Sequence, residues 1–250
     1  TRLYRTSAVE VDSGLGFDGV AFDWWRDEQP NGFSRQQVRN ARISIAKAVR
    51  EALGDEKIIL ANVMWHHDRD TVRYLSGAFL EFWKDGNESR VYNSSELKKI
   101  EKSLDFYNSN LASPKIIALN GHRKTKDLSD QDRNSSENRK MAKLLTAMSV
   151  VVPDNGYILY SDGSRDDPNS DLFHLNYDFY SFDIGQPVGP MIQVSPGVRY
   201  KEHEGGFIAY NITSSNKMFL RSNGIEVEIS KQAGLFCRDT AYGLDCLSYD

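Results

Sequence analysis

Residues 17–25, FDGVAFDWW, set a short apolar run, Val20-Ala21-Phe22, behind the turn pair Asp18-Gly19 and end it in an acid and two indoles. An apolar run of this length between turn signals reads as a buried β-strand. Burial explains the run but not the Asp23, Trp24 and Trp25 that close it.

The same pattern recurs outward from this strand. SRQQVRNARISIAKAVREALG (34–54) opens on a Ser cap and closes on Gly54, with Val38, Ile45, Ala48, Val49 and Ala52 near helical spacing. KIILANVMW (57–65) is apolar enough to be a strand buried on both faces. DRDTVRYLS (68–76) reads as a short helix and GAFLEFW (77–83) as another buried strand. A capped helix over 94–111 leads into the strand KIIALNGH (115–122), and a helix over 136–151 into GYILYSD (156–162). Such alternation predicts a parallel sheet with helices packed outside it. After Tyr180 the composition changes to β-branched residues, turns and short alternations, which predicts a small antiparallel β module over 181–250 with hairpin turns near Gly205-Gly206 and Asn223-Gly224. The polar stretch 123–137 reads as a solvated loop.

Composition excludes some classes of partner. The 250 residues are 40% hydrophobic and 26% charged, with a formal net charge of -4. No basic block offers a face for nucleic acid, and no apolar run approaches the roughly 18 residues of a membrane helix. Cys237 and Cys246 lie near the C-terminus and leave both a local disulfide and two free thiols open.

The candidate strands end in Asp23-Trp24-Trp25, Trp65-His66-His67, Glu81-Phe82-Trp83, Asn120-Gly121-His122 and Tyr160-Ser161-Asp162. All four tryptophans fall at these ends, the edge where parallel α/β folds build their sites. Glycoside cleavage needs two carboxyl groups about one bond, and indole faces supply platforms for sugar rings. Asp23 and Glu81 end strands two apart and form the candidate catalytic pair. Trp24, Trp25, Trp65, His66, Trp83, Asn120, His122, Tyr160 and Asp162 are the candidate substrate-binding residues. Taken singly, Asp23 also reads as a helix cap and Glu81 as the partner of a Lys or Arg. A rival reading has His66, His67 and His122 bind a divalent metal with Asp23 or Glu81 for hydrolysis or deacetylation, but no HxH or HExxH spacing supports it. No cofactor motif stands out.

GFDGVAFDWW, ILANVMW and YLSGAFLEFW resemble the glycoside hydrolases of the GHL type, (β/α)8-barrel proteins related to the endo-α-1,4-polygalactosaminidases. The tail IGQPVGPM…GVRYKEHEGGFIAYNIT is similar to the small β-domain that ends such chains, and the resemblance spans roughly residues 14–215. It implies that Asp23 ends the fourth barrel strand and is the nucleophile of a retaining mechanism. Glu81 would end the sixth strand as the acid/base. A polysaccharide with α-linkages or amino sugars would be the substrate, met outside the cell or at its surface. It also implies a partial TIM-like barrel, strands four to eight, over 1–180, followed by the β domain over 181–250. Residues 1–16 are too few for three more β/α units, which need on the order of 90 residues. The expectation is therefore that an N-terminal segment or a second chain completes the barrel. The runner-up is a non-catalytic glycan-binding or assembly protein that keeps the aromatic cleft.

Overall fold

The computed structural model describes residues 18–28, 30–82, 92–122, 135–161 and 176–247. Its helices begin where short polar side chains replace the backbone partners that a first turn lacks. The Ser34 hydroxyl accepts from the Gln37 N–H while Gln37 accepts from the Ser34 N–H, and this reciprocal cap starts α1 (Arg35–Leu53). Asn93 and Glu96 repeat the device at α2 (Ser94–Asn110), and Ser135 caps α3 (Ser136–Val151).

Between and after these helices run five parallel strands: β1 (Gly19–Phe22), β2 (Ile58–Asn62), β3 (Gly77–Phe82), β4 (Ile116–His122) and β5 (Asn155–Ser161). They form one sheet in chain order, with β1 and β5 as its edges among the described residues. The fold is thus mixed α/β with a parallel sheet, as the alternation predicts, and the sheet is open. An order that never reverses sends successive crossovers of one hand over the same face. On that face Ile59, Ala61, Ala78, Leu80, Phe82, Ile117 and Leu119 are fully buried in one core with Ala46, Leu97, Ile100, Leu104, Leu144, Leu145 and Met148 of the helices. The opposite face is only partly covered: Leu60, Phe79 and Ile116 are half-buried, and Tyr157 is 54% exposed. Burial on both faces, the reading of KIILANVMW, is therefore corrected to burial on one, and the buried strand read at Val20-Ala21-Phe22 is corrected to an edge strand with Val20 and Ala21 exposed and Phe22 half-buried.

Residues 68–76 make no α-helix. Asp68 accepts the N–H groups of Asp70 and Thr71, closing a side-chain turn that competes with helical bonding, and only a 3-10 turn, Val72–Tyr74, follows. Of the stretch expected as a loop, 123–134 lies outside the described residues and 136–137 already belongs to α3.

The chain then builds β6 (Ile192–Ser195), β7 (Val198–His203), β8 (Gly206–Asn211), β9 (Lys217–Leu220), β10 (Glu226–Ile229), β11 (Ala233–Thr240) and β12 (Gly243–Cys246). All pairings here are antiparallel, in a sheet ordered β12-β11-β8-β7-β6 and a β9–β10 hairpin, with reversals at Glu204-Gly205 and Asn223-Gly224. One face of the larger sheet carries Val198, Tyr200, Phe207, Ala209, Leu235 and Cys237, which pack on Phe219, Val227 and Ile229 of the hairpin. From its other face Ile208, Tyr210 and Phe236 enter the same core as the parallel sheet. Cys237 and Cys246, directly paired on β11 and β12, form a disulfide.

α3 lies between the two sheets and is buried almost all round. Backbones press on it from both sides: a Cβ at Gly156 of β5 would meet the Ser149 carbonyl at 1.8 Å, and one at Gly234 of β11 the Lys143 carbonyl at 2.4 Å. Polar contacts finish the seam. Lys201 Nζ donates to the carbonyls of Val150 and Pro153 at 3.0 and 2.6 Å, satisfying the C-terminal end of α3 with a positive charge. Arg199 makes two bonds to Asp105 of α2, and the Tyr210 hydroxyl donates to Glu101 at 2.7 Å.

Candidate active site

The carboxyl edge of β1, β2 and β3 brings three polar side chains together. Phe22 pairs with Ala61, so Asp23 comes level with Asn62, the last residue of β2. Asn62 pairs with Phe79, and Glu81 stands two residues farther along β3 on the same side of the pleat. All three are on the face away from the helices, Asp23 exposed and the other two half-buried. The Asn62 Nδ2 donates to Asp23 Oδ1 at 3.0 Å and to Glu81 Oε2 at 2.8 Å. Those two oxygens are thus less than about 6 Å apart, and the 120° divergence of amide hydrogens sets them near about 5 Å when both bonds are straight.

The single-residue alternatives for the two acids do not describe what they touch. α1 is capped by Ser34, while Asp23 Oδ1 accepts the Trp24 N–H at 2.9 Å. Among the described residues neither Asp23 nor Glu81 forms an ion pair with Lys or Arg; Asn62 is the side-chain partner of both. The backbone around them takes an uncommon form: Trp24 and Met64 have φ of 52° and 49°, in the left-handed region that residues other than glycine seldom occupy. Such outliers gather at functional sites.

The aromatic and amide candidates divide. Trp24 is 63% exposed, with the Arg26 guanidinium 4.1 Å above its ring. Trp25 is corrected to a core residue: its indole stacks on Phe22 at 4.4 Å and donates to Thr71 Oγ1 at 2.8 Å. Tyr160 is corrected likewise, since it is buried on the helix face and its hydroxyl donates to Asn138. Trp65 is half-buried against Phe82 and Tyr92. Trp83 and Asp162 lie outside the described residues.

Asn120 pairs with Glu81 across β3 and β4, and its Oδ1 is buried with no hydrogen-bond donor among the described residues. A proton carried by a neighbouring carboxyl, or a hydroxyl of a bound molecule, is what such an acceptor takes. His122, two residues on, is also buried, and its backbone N–H donates to the Tyr92 hydroxyl.

The histidines after β2 turn elsewhere. His66 Nε2 lies 3.4 Å from Asp27, and His67 Nε2 lies 2.9 Å from the Ser103 hydroxyl with its ring stacked on Phe106. Burial, then the neighbouring His66, Arg69 and Lys102, pushes the His67 pKa down and favours the neutral ring. Among the described residues no three His, Cys, Asp or Glu side chains converge as a metal site.

Asn62 is the member of this cluster that the sequence reading passes over. Asn62 closes the apolar run ILAN, where an Asn usually marks a turn, and its place level with Asp23 follows only from the pairing of β1 with β2. No protein-family model matches the chain, and a search of curated proteins returns no match either.

Proposed function

We propose that the chain is a glycoside hydrolase that cleaves a polysaccharide, α-linked or containing amino sugars, with Asp23 as nucleophile and Glu81 as acid/base. The observation that carries this reading is the Asn62 amide joined to one oxygen of each carboxyl group, a separation of about 5 Å between those two oxygens that suits two carboxyl groups acting about one glycosidic bond. The pair sits at an open edge, next to an exposed indole that suits the C–H face of a sugar ring. Sequential strand order and helices on one face are what five consecutive units of a (β/α)8 barrel would present, and the partly exposed opposite face would then be barrel interior. A further segment or a second chain would close that barrel. The Cys237–Cys246 disulfide suits an oxidising compartment, in keeping with secretion or display at the cell surface.

The test is a panel of α-linked and amino-sugar polysaccharides, scored for new reducing ends, with wild type, Asp23→Asn and Glu81→Gln. The expected result is cleavage of at least one polymer by wild type, a loss of about 100- to 10,000-fold in Glu81→Gln, and at least as large a loss in Asp23→Asn. Asp23→Asn with full activity would sink the assignment. Retained binding with no hydrolysis by any form would make the protein a glycan binder.

A further inference from the structure

We infer that Asn62 is a positioning residue whose amide engages one oxygen of each carboxyl group and leaves the other oxygen of each to the reaction. This rests on the hydrolase reading above. The orientation of the amide is fixed by its own oxygen, which accepts the Met64 N–H at 3.3 Å and so turns the NH2 group towards the acids. Each of its hydrogens then has its own acceptor. Asp23 Oδ1 takes a second donor, the Trp24 N–H. Among the described residues nothing donates to Asp23 Oδ2 or to Glu81 Oε1, and neither acid has a further partner there.

An oxygen whose lone pairs already accept N–H groups is the weaker nucleophile and the weaker proton carrier. Asp23 Oδ2 therefore attacks the anomeric carbon. The Oδ2–C1 bond forms as the C1–O bond to the departing sugar breaks, and the proton on Glu81 Oε1 passes to the leaving oxygen. In the second step a water oxygen bonds to C1, the Oδ2–C1 bond breaks, and Glu81 Oε1 takes the proton that the water gives up. The Asn62 hydrogens stay on Oδ1 and Oε2 through both steps, so the spacing of the pair is held while its charge moves from one acid to the other. A lysine here would neutralise the pair, and a serine hydroxyl has one hydrogen where two are needed.

Two independent readouts test this. In 1H–15N spectra of the whole chain, the two side-chain protons of Asn62 should respond separately, one to Asp23→Ala and the other to Glu81→Ala. On whichever polymer the panel shows to be cleaved, Asn62→Ala should lose about 100-fold in kcat with KM little changed, the penalty for a reacting group out of place. Asn62→Asp, which keeps the size but replaces the donors with a third carboxylate, should fall at least as far; it also serves if Asn62→Ala fails to fold. Hydrolysis with amide protons that ignore both acid variants, or Asn62→Ala with wild-type kcat, overturns the inference and leaves the hydrolase reading standing. Separate proton responses without hydrolysis of any polymer by wild type overturn the hydrolase reading, and with it the catalytic role of Asn62, while the bridge itself stands.

Discussion

Replacing Arg199 by Met should destabilise the protein by about 3–5 kcal/mol, and the structure says where that loss comes from. The Arg199 side chain is 8% exposed and faces two carboxylates of α2: Glu101, 11% exposed at 3.3 Å, and Asp105, 40% exposed at 2.6 Å. The Asp105 contact is open to solvent and is worth about 0–1 kcal/mol. The larger loss follows from Glu101, which keeps only the Tyr210 hydroxyl as a described partner once the guanidinium is gone. Burial and the Glu101 charge hold the Tyr210 pKa well above its usual value, so this hydroxyl stays protonated and cannot supply a positive charge. Most of the loss is thus the burial of an unpaired carboxylate. Adding Glu101→Gln to Arg199→Met removes that charge, keeps an acceptor for Tyr210, and should restore about 1–3 kcal/mol. Urea unfolding followed by circular dichroism at pH 7 measures both, with unchanged slopes required for the comparison. A loss below about 1 kcal/mol in the single variant, or a double variant less stable than the single, refutes the reasoning.

Lys143 gives a pH test. Burial holds its pKa down to about 8 from 10.5, with Asp178 opposing and Arg139 assisting. Between those two values the unfolded chain binds a proton that the folded chain has released, so this residue makes stability rise with pH across that window. Lys143→Met should lack that rise when urea midpoints of the two proteins are compared from pH 7 to pH 10.5. At Gly156, where an added Cβ would meet the Ser149 carbonyl at 1.8 Å, Gly156→Ala should force β5 off α3 and lose about 3 kcal/mol or more, seen as a lower Tm; an unchanged Tm would mean that the strand and helix are not so closely packed in solution.

Much of the first layer was legible because local signals and global packing agree there. Ser34 and Gly54 mark helix ends in the sequence and cap α1 in the structure. The apolar runs gave every strand of the parallel sheet, since each is short, is rich in apolar residues and lies between helix or turn signals. What failed was the reading of faces. An apolar run looks the same whether one or both of its faces are covered, and Leu60 and Phe79 proved half-buried. Trp24-Trp25 carried its own warning: adjacent residues in extended chain point to opposite sides, so both indoles could not serve one rim. Asn62 was missed for a different reason. Its importance lies in what stands beside it on two neighbouring strands, Asp23 and Glu81, and register across a parallel sheet is not written in either strand alone.

The position of α3 also imposes a timetable on synthesis. Its residues Met141–Ser149 are buried because the parallel sheet covers one side and β8 and β11 cover the other. When a ribosome has released Val151 it still has about 80 residues to add before Ala233, which takes about 4–16 s at roughly 5–20 residues per second. Until β8 has been added the nascent chain carries a helix with that second side uncovered, and from Asn211 to Ala233 only β8 is there to shield it. A pause in translation anywhere in this stretch prolongs the exposure, and the window in which a chaperone has something to hold opens with α3 and shuts when β11 arrives.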